Sequence, residues 1–239
     1  MPNTSDEIFT LRGFAGTGKT SLLGALAQSL YHLKRPFFLL APTGRAAKVL
    51  QGKTKSPTST IHKHIYQSKV DSNGFTSVLP KVNTKEGALY IVDESSMIPH
   101  SVNASEVHQN QSVLEDLIQF VFQKPNNKLI LVGDTAQLPP VKLDVSPALD
   151  EHKLALNYNK DIDCIELDEV VRQAEGSGIL SNATLLREQL ASNFFDAFQF
   201  NLGSFKDLVR LQDGYDIQNA IDPAYSSDGK EDTAIIVRS

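Results

Sequence analysis

Gly13-Phe14-Ala15-Gly16-Thr17-Gly18-Lys19-Thr20 fits the pattern GxxxxGK[ST], and its flanks decide the fold. Ile8-Phe9-Thr10-Leu11 leads into it as an apolar strand, and residues 21–30 follow with apolar side chains at helical spacing. Strand, glycine loop and helix together are the setting of a phosphate-binding loop. Glycines let the backbone fold tightly enough for its N–H groups to point at phosphate oxygens, and the helix N-terminus adds partial positive charge. The nucleotide-binding set read from this stretch is Gly13, Ala15, Gly16, Thr17, Gly18, Lys19 and Thr20. Lys19 can reach the β- and γ-phosphates of ATP, and the Thr20 hydroxyl can ligate Mg²⁺.

A length of 239 residues suits one large domain or one domain plus an appendage, and 41% hydrophobic content supports a packed core. The single cysteine, Cys164, excludes an internal disulfide and lies in an apolar run that reads as core. The sequence shows neither a signal-peptide pattern nor an apolar run of membrane-spanning length, so a cytoplasmic protein without a membrane partner is expected. Net charge is −5, which argues against a generally basic nucleic-acid coat. The distribution says more: residues 8–70 hold ten Lys and Arg and no acid, and all 28 Asp and Glu lie elsewhere. That asymmetry points to a local face for a polyanion on an otherwise acidic protein.

Further apolar runs at residues 37–40, 88–92, 129–132 and 162–167 read as buried strands. A short helix is expected from Arg45 to Leu50, with Gly52 as the residue beyond its end, and an amphipathic one over 113–122. Residues 181–190 also read as helix. Strands alternating with helices predict a parallel α/β sheet, with ligands at the carboxyl ends of its strands. Residues 66–87 break the pattern: they are polar, and Asp71-Ser72-Asn73-Gly74 is a strong turn signal, so a projecting hairpin is expected. Residues 233–237 read as a last strand.

The chemistry follows the strands. Asp93-Glu94, behind five apolar residues and about seventy residues after the glycine loop, suits Mg²⁺ binding by Asp93 and activation of water by Glu94. Gln137, in Gly133-Asp134-Thr135-Ala136-Gln137-Leu138-Pro139-Pro140, could hydrogen-bond a γ-phosphate, and Arg172 could offset transition-state charge. His62 and His64, with no Cys or carboxylate nearby, do not suggest zinc; they fit the basic face or an exposed surface.

GFAGTGKT, APTGRAAKVL, TSTIHKHI, IVDESSM, VGDTAQLPPV and LDEVVRQ, in that order over residues 8–190, resemble superfamily 1 DNA helicases of the branch containing the RecD subunit of exonuclease V and the phage Dda helicase. The resemblance implies a RecA-like P-loop NTPase fold, a parallel sheet flanked by helices, with a small inserted β-hairpin. ATP and Mg²⁺ are the implied cofactors. It implies that Pro42, Thr43, Arg45, Thr60 and His62 lie along single-stranded DNA, with Lys63 in the same basic segment. It further implies that Gln137 couples nucleotide state to DNA grip, that Arg172 approaches the γ-phosphate, and that residues 66–87, with Phe75 beside the turn, split the duplex at a junction. The domains expected are 1–65 with 88–232 as the ATPase domain, 66–87 as the pin, and 233–239 as the start of a second RecA-like domain. Translocation 5′ to 3′ and association with other nuclease or helicase subunits are implied only by the family. A P-loop phosphotransferase and a non-hydrolysing nucleotide switch are the alternatives.

Overall fold

The computed structural model describes residues 7–70, 74, 76–98, 112–138, 140, 145–169, 176–192, 198–203, 205–227 and 233–236. Among the described residues eight strands form in chain order: β1 Glu7–Gly13, β2 Phe37–Ala41, β3 Thr58–Thr60, β4 Tyr66–Val70, β5 Thr76–Pro80, β6 Leu89–Val92, β7 Lys128–Gly133 and β8 Asp161–Leu167. Six of them make one sheet in the order β3-β2-β6-β7-β1-β8. Each of its adjacent pairs is parallel, with Ile8 beside both Leu129 and Ile162.

The strands alternate cleanly between two cores. Leu39, Leu89 and Ile91 face one side, where they pack with Leu23, Ala27 and Leu30 of α1 (Lys19–His32) and Leu50 of α2 (Gly44–Thr54). Leu40, Tyr90 and Val92 face the other, against Ile61 and Ile65 of α3 (Ile61–Ile65), Leu114, Leu117 and Ile118 of α4 (Val113–Val121) and Leu154 of α5 (Glu151–Tyr158). A strand buried on both faces reads as a continuous apolar run, which is why β2, β6 and β7 were visible in the sequence. Truncating any of the buried Leu or Ile side chains here to Ala typically costs about 2–5 kcal/mol. They outweigh the half-exposed ion pairs Arg12–Glu151 and Lys128–Glu7 at the same sheet, since such pairs contribute about 0–1 kcal/mol.

Side-chain caps start four of these helices. Thr43 Oγ1 accepts from Ala46 N–H, Thr60 Oγ1 from Lys63 N–H, Ser112 Oγ from Glu115 N–H and Asp150 Oδ1 from Lys153 N–H. Each such cap stabilises its helix by about 1 kcal/mol.

Several elements differ from the sequence reading. α2 runs past Gly52 to Thr54 and ends at Lys55, which adopts φ +56° and closes the helix by donating to Gln51 O. A non-glycine residue takes the left-handed position that Gly52 was expected to occupy. β3, a three-residue polar edge strand, left no hydrophobic trace in the sequence. Cys164 is only half-buried, because β8 lies at the sheet edge and its residues alternate toward solvent. Residues 233–236 form no strand; Thr233 Oγ1 donates to Ala224 O at 3.3 Å, and Ile236 is exposed.

β4 and β5 pair antiparallel as a two-stranded sheet of their own, from Tyr66↔Pro80 to Val70↔Thr76. This is the hairpin expected over 66–87. Gly74 has φ +82°, as its turn requires; Asp71, Ser72, Asn73 and Phe75 lie outside the described residues.

The chain divides into two compact units, residues 1–172 and 173–239. The division falls inside the 88–232 stretch assigned from sequence to a single ATPase domain. In the second unit, α6 (Gly178–Ser192) contains the expected 181–190 helix. Its start is tied by Asp207, whose carboxylate accepts from Ser177 Oγ at 2.7 Å and Gly178 N–H at 2.8 Å. Asn182 and Asn201 exchange two hydrogen bonds, and α7 spans Gly214–Ser227. Among the described residues no helix is long and apolar enough to cross a membrane.

Candidate nucleotide site and nucleic-acid face

The carboxyl edge of the sheet gathers the polar motifs: Gly13 ends β1, Pro42-Thr43 follow β2, Asp93-Glu94 follow β6 and Asp134 follows β7. Between Gly13 and Lys19 the backbone turns through Gly16 and Gly18, both at φ +89°, and Gly18 is the residue on which α1 begins. A side chain at either position would be strained whatever the space around it. Thr17 Oγ1 donates to Phe14 O at 2.9 Å and closes the loop. The Lys19 ammonium donates to Gly13 O at 2.6 Å and Phe14 O at 2.9 Å, so its charge is held within the loop it serves.

Asp93 is buried, and burial first, with the neighbouring Glu94 carboxylate second, pushes its pKa up to about 6; the Lys19 and Lys53 cations oppose that shift. A cation bound at this carboxylate would favour its charged form. Glu94 stands at φ +55°, a left-handed conformation uncommon for a residue with a side chain. Two bonds hold it there: Glu94 N–H donates to Asp93 Oδ1 at 3.0 Å, and Met97 N–H donates to Glu94 O at 3.0 Å. The 3₁₀ turn Ser95–Met97 that follows is pressed against the end of β7. Ser95 Oγ donates to Val132 O at 2.8 Å, and a Cβ on Gly133 would meet Ser95 Oγ and Ser96 N at 3.1 Å and Leu149 Cδ1 at 2.8 Å. Glycine at 133 is what lets the two loops approach.

Ser96 Oγ then donates to Gln137 Oε1 at 3.2 Å. These contacts converge on a cleft of about 310 Å³ lined by Thr20, Asp93, Glu94, Met97 and Gln137 together with Thr43, Arg45, Val49 and Lys53 from α2 and its cap. Hard oxygen donors from Thr20 and Asp93 fit Mg²⁺, which takes one or two protein ligands and completes its shell with phosphate and water. No cluster of three His, Cys, Asp or Glu among the described residues suggests another metal.

Of the residues expected on DNA, Thr43 and Arg45 line this cleft, and Pro42 precedes them at the end of β2. The Thr43 and Thr60 hydroxyls cap helices. His62 and Lys63 are exposed on α3, with the His62 ring 5.6 Å from that of Tyr66. His64 does not belong to an exposed face: it packs at 4.8 Å on Phe38, 5.6 Å on Phe120 and 5.8 Å on Tyr90. Arg172 and Phe75 lie outside the described residues. Lys53 and Ser96 carry contacts at the cleft that the sequence reading did not assign. The signal for Lys53 was present as Arg45, Val49 and Lys53 at successive i, i+4 positions of one helix.

Sheet, glycine loop and carboxylates define a P-loop nucleoside triphosphatase domain of RecA-like fold. A family model described as an AAA domain matches residues 2–201, and the chain belongs to that family. The ATP-dependent RecD2 DNA helicase of Deinococcus radiodurans is 32% identical over 180 residues, which cover 74% of this chain and 21% of that protein. The chain therefore spans about a fifth of the length of this curated relative. Family and relative bear out the resemblance to a RecD-like superfamily 1 motor domain. Two solved structures are also similar at 20% identity. Bacteroides sp Pif1 in complex with ADP-AlF4 has a TM-score of 0.43 and covers 80% of this chain and 44% of its own; Pif1 helicase from Candida albicans has 0.48, covering 94% and 51%.

Proposed function

We propose that this chain is the first motor domain of a longer ATP-dependent DNA helicase of RecD type, coupling ATP hydrolysis to movement along single-stranded DNA. The observation that carries this is the single cleft in which Thr20, Asp93, Glu94 and Gln137 meet Thr43 and Arg45 of the acid-free stretch. A phosphate-handling site and a cationic surface for a polyanion are there the same piece of structure. The relative is itself named an ATP-dependent DNA helicase.

In this reading the loop 13–20 cradles the phosphates and Lys19 leaves its two carbonyl partners for the β- and γ-phosphates. Thr20 and Asp93 would hold Mg²⁺, which when bound would offset phosphate charge. Glu94 takes the proton of the attacking water, and Gln137 senses the γ-phosphate. Arg172 and a second RecA-like domain complete the site. Pro42, Thr43, Arg45, Thr60, His62 and Lys63 track the DNA backbone, and the β4–β5 hairpin separates strands at a duplex junction. Movement 5′ to 3′, assembly with other nuclease or helicase subunits as in exonuclease V, and service in repair or recombination rest on family resemblance.

DNA-stimulated ATPase measurement on a protein carrying both motor domains tests the proposal. Lys19→Ala is expected to abolish nucleotide binding. Glu94→Gln should keep binding and lower turnover by about 10²–10⁴-fold. Residues 1–239 alone should bind nucleotide weakly and hydrolyse slowly. Turnover indifferent to single-stranded DNA, with transfer to a small acceptor, would establish a phosphotransferase instead; binding without any turnover would establish a switch.

A further inference from the structure

Lys53 sits in the last turn of α2, two turns from Arg45, and the face formed by Arg45, Ala46, Val49, Leu50 and Lys53 lines the cleft that holds Thr20, Asp93, Glu94 and Gln137. Arg45 shares this lining, whereas Lys48 and Lys55 of the same segment do not line it. We propose that Lys53 is a specificity-determining residue of the nucleotide site, a cation that favours a triphosphate over a diphosphate by facing the γ-phosphate from α2. The inference rests on the nucleotide-binding reading above and adds to it a residue outside the P-loop.

Three observations support it. The cleft contains two adjacent carboxylates, Asp93 and Glu94, which repel the terminal phosphate unless cations balance them. Lys19, the P-loop cation, is a single charge shared between β- and γ-phosphates, so a cation on α2 facing only the distal phosphate adds to discrimination between ATP and ADP. Arg45, Val49 and Lys53 recur at i, i+4 spacing along α2, so Lys53 belongs to the helix face that lines the cleft. A long flexible ammonium on a helix end can follow the γ-phosphate and lose its partner on hydrolysis.

The test is equilibrium binding of Mg²⁺ with β,γ-imido-ATP and, separately, with ADP to the 239-residue chain at about 0.1 M salt. Lys53→Ala should weaken the triphosphate analogue about five- to tenfold and ADP less than twofold, and Lys53→Arg should restore most of the difference. Lys55→Ala should change neither, and raising the salt should shrink the wild-type preference. Lys53 is exposed, so the variants are expected to fold, and a melting curve for each checks this. Equal losses for both nucleotides, or no loss for either, overturn the inference while Lys19→Ala still tests the site itself. Weaker single-stranded DNA binding with nucleotide affinities unchanged overturns it in favour of a DNA contact. Failure of the wild-type chain to bind either nucleotide overturns the underlying reading as well.

Discussion

Ser96 Oγ donates to Gln137 Oε1 at 3.2 Å, tying the turn after β6 to the turn after β7. With the amide oxygen engaged, the Gln137 NH₂ group is the part left to meet a γ-phosphate. Ser96 is 1% exposed and its backbone abuts Gly133, so this anchor is built into the body of the domain. In the two-domain protein, Ser96→Ala should lower kcat for DNA-stimulated hydrolysis about tenfold and alter KM for ATP less than twofold. Combining it with Gln137→Ala should cost little more than Gln137→Ala alone, because both act through one amide. Additive losses would mean that Ser96 supports the fold rather than Gln137.

How much of this was legible beforehand follows from burial. β2, β6 and β7 are buried on both faces and announced themselves as apolar runs ending in functional residues. Asp93 and Glu94 were found because a polar pair directly after such a run stands out. Arg45 was assigned to DNA from family resemblance; its place in the cleft beside Glu94 depends on how α2 lies over the edge of the sheet, which no local pattern encodes. His64 looked like part of a basic face because its neighbours His62 and Lys63 are polar. Its aromatic surroundings come from β2, β6 and α4, distant in sequence.

The DNA contacts separate into two groups by position. His62 and Lys63 are exposed on α3, away from the cleft lining, whereas Arg45 is within it. Lys63→Glu with His62→Ala should weaken single-stranded DNA binding several-fold and leave nucleotide affinity unchanged, with a gentle salt dependence because few cations reach the backbone at once. Arg45→Glu should weaken both ligands. Fluorescence anisotropy with labelled DNA and with labelled ATP reads the two effects. DNA affinity unmoved by the α3 double variant would place the strand elsewhere.

His64 gives the domain a pH dependence. Burial among Phe38, Tyr90 and Phe120, and secondarily the Lys81 cation, lower its pKa below the ordinary 6.5. The unfolded chain then binds a proton more readily than the folded one. Stability from this group is complete above about pH 6.5 and declines as pH falls below it, until the folded histidine also protonates. The melting temperature of His64→Gln should fall less than that of the wild type between pH 7 and 5. Parallel curves for the two proteins over that range would refute the assignment.

Tyr66 controls how firmly the hairpin is held. It opens β4, and its hydroxyl donates to Asp116 of α4, while at the other end of the hairpin Lys81 Nζ donates to Lys63 O at 2.6 Å and His64 O at 3.3 Å. A wedge can transmit force to a duplex only if its base is fixed to the motor. Tyr66→Phe keeps the ring in place and removes the hydroxyl, so the lost hydrogen bond to a carboxylate should lower stability by about 1.5–3 kcal/mol at most. In the two-domain protein, duplex unwinding should slow about three- to tenfold while ATPase activity on single-stranded DNA stays within twofold. Phe75→Ala should give the same split if its ring meets the duplex. Unwinding and ATPase falling together in Tyr66→Phe would show that the contact serves the ATPase core, and unchanged unwinding would show that the hairpin does not separate strands.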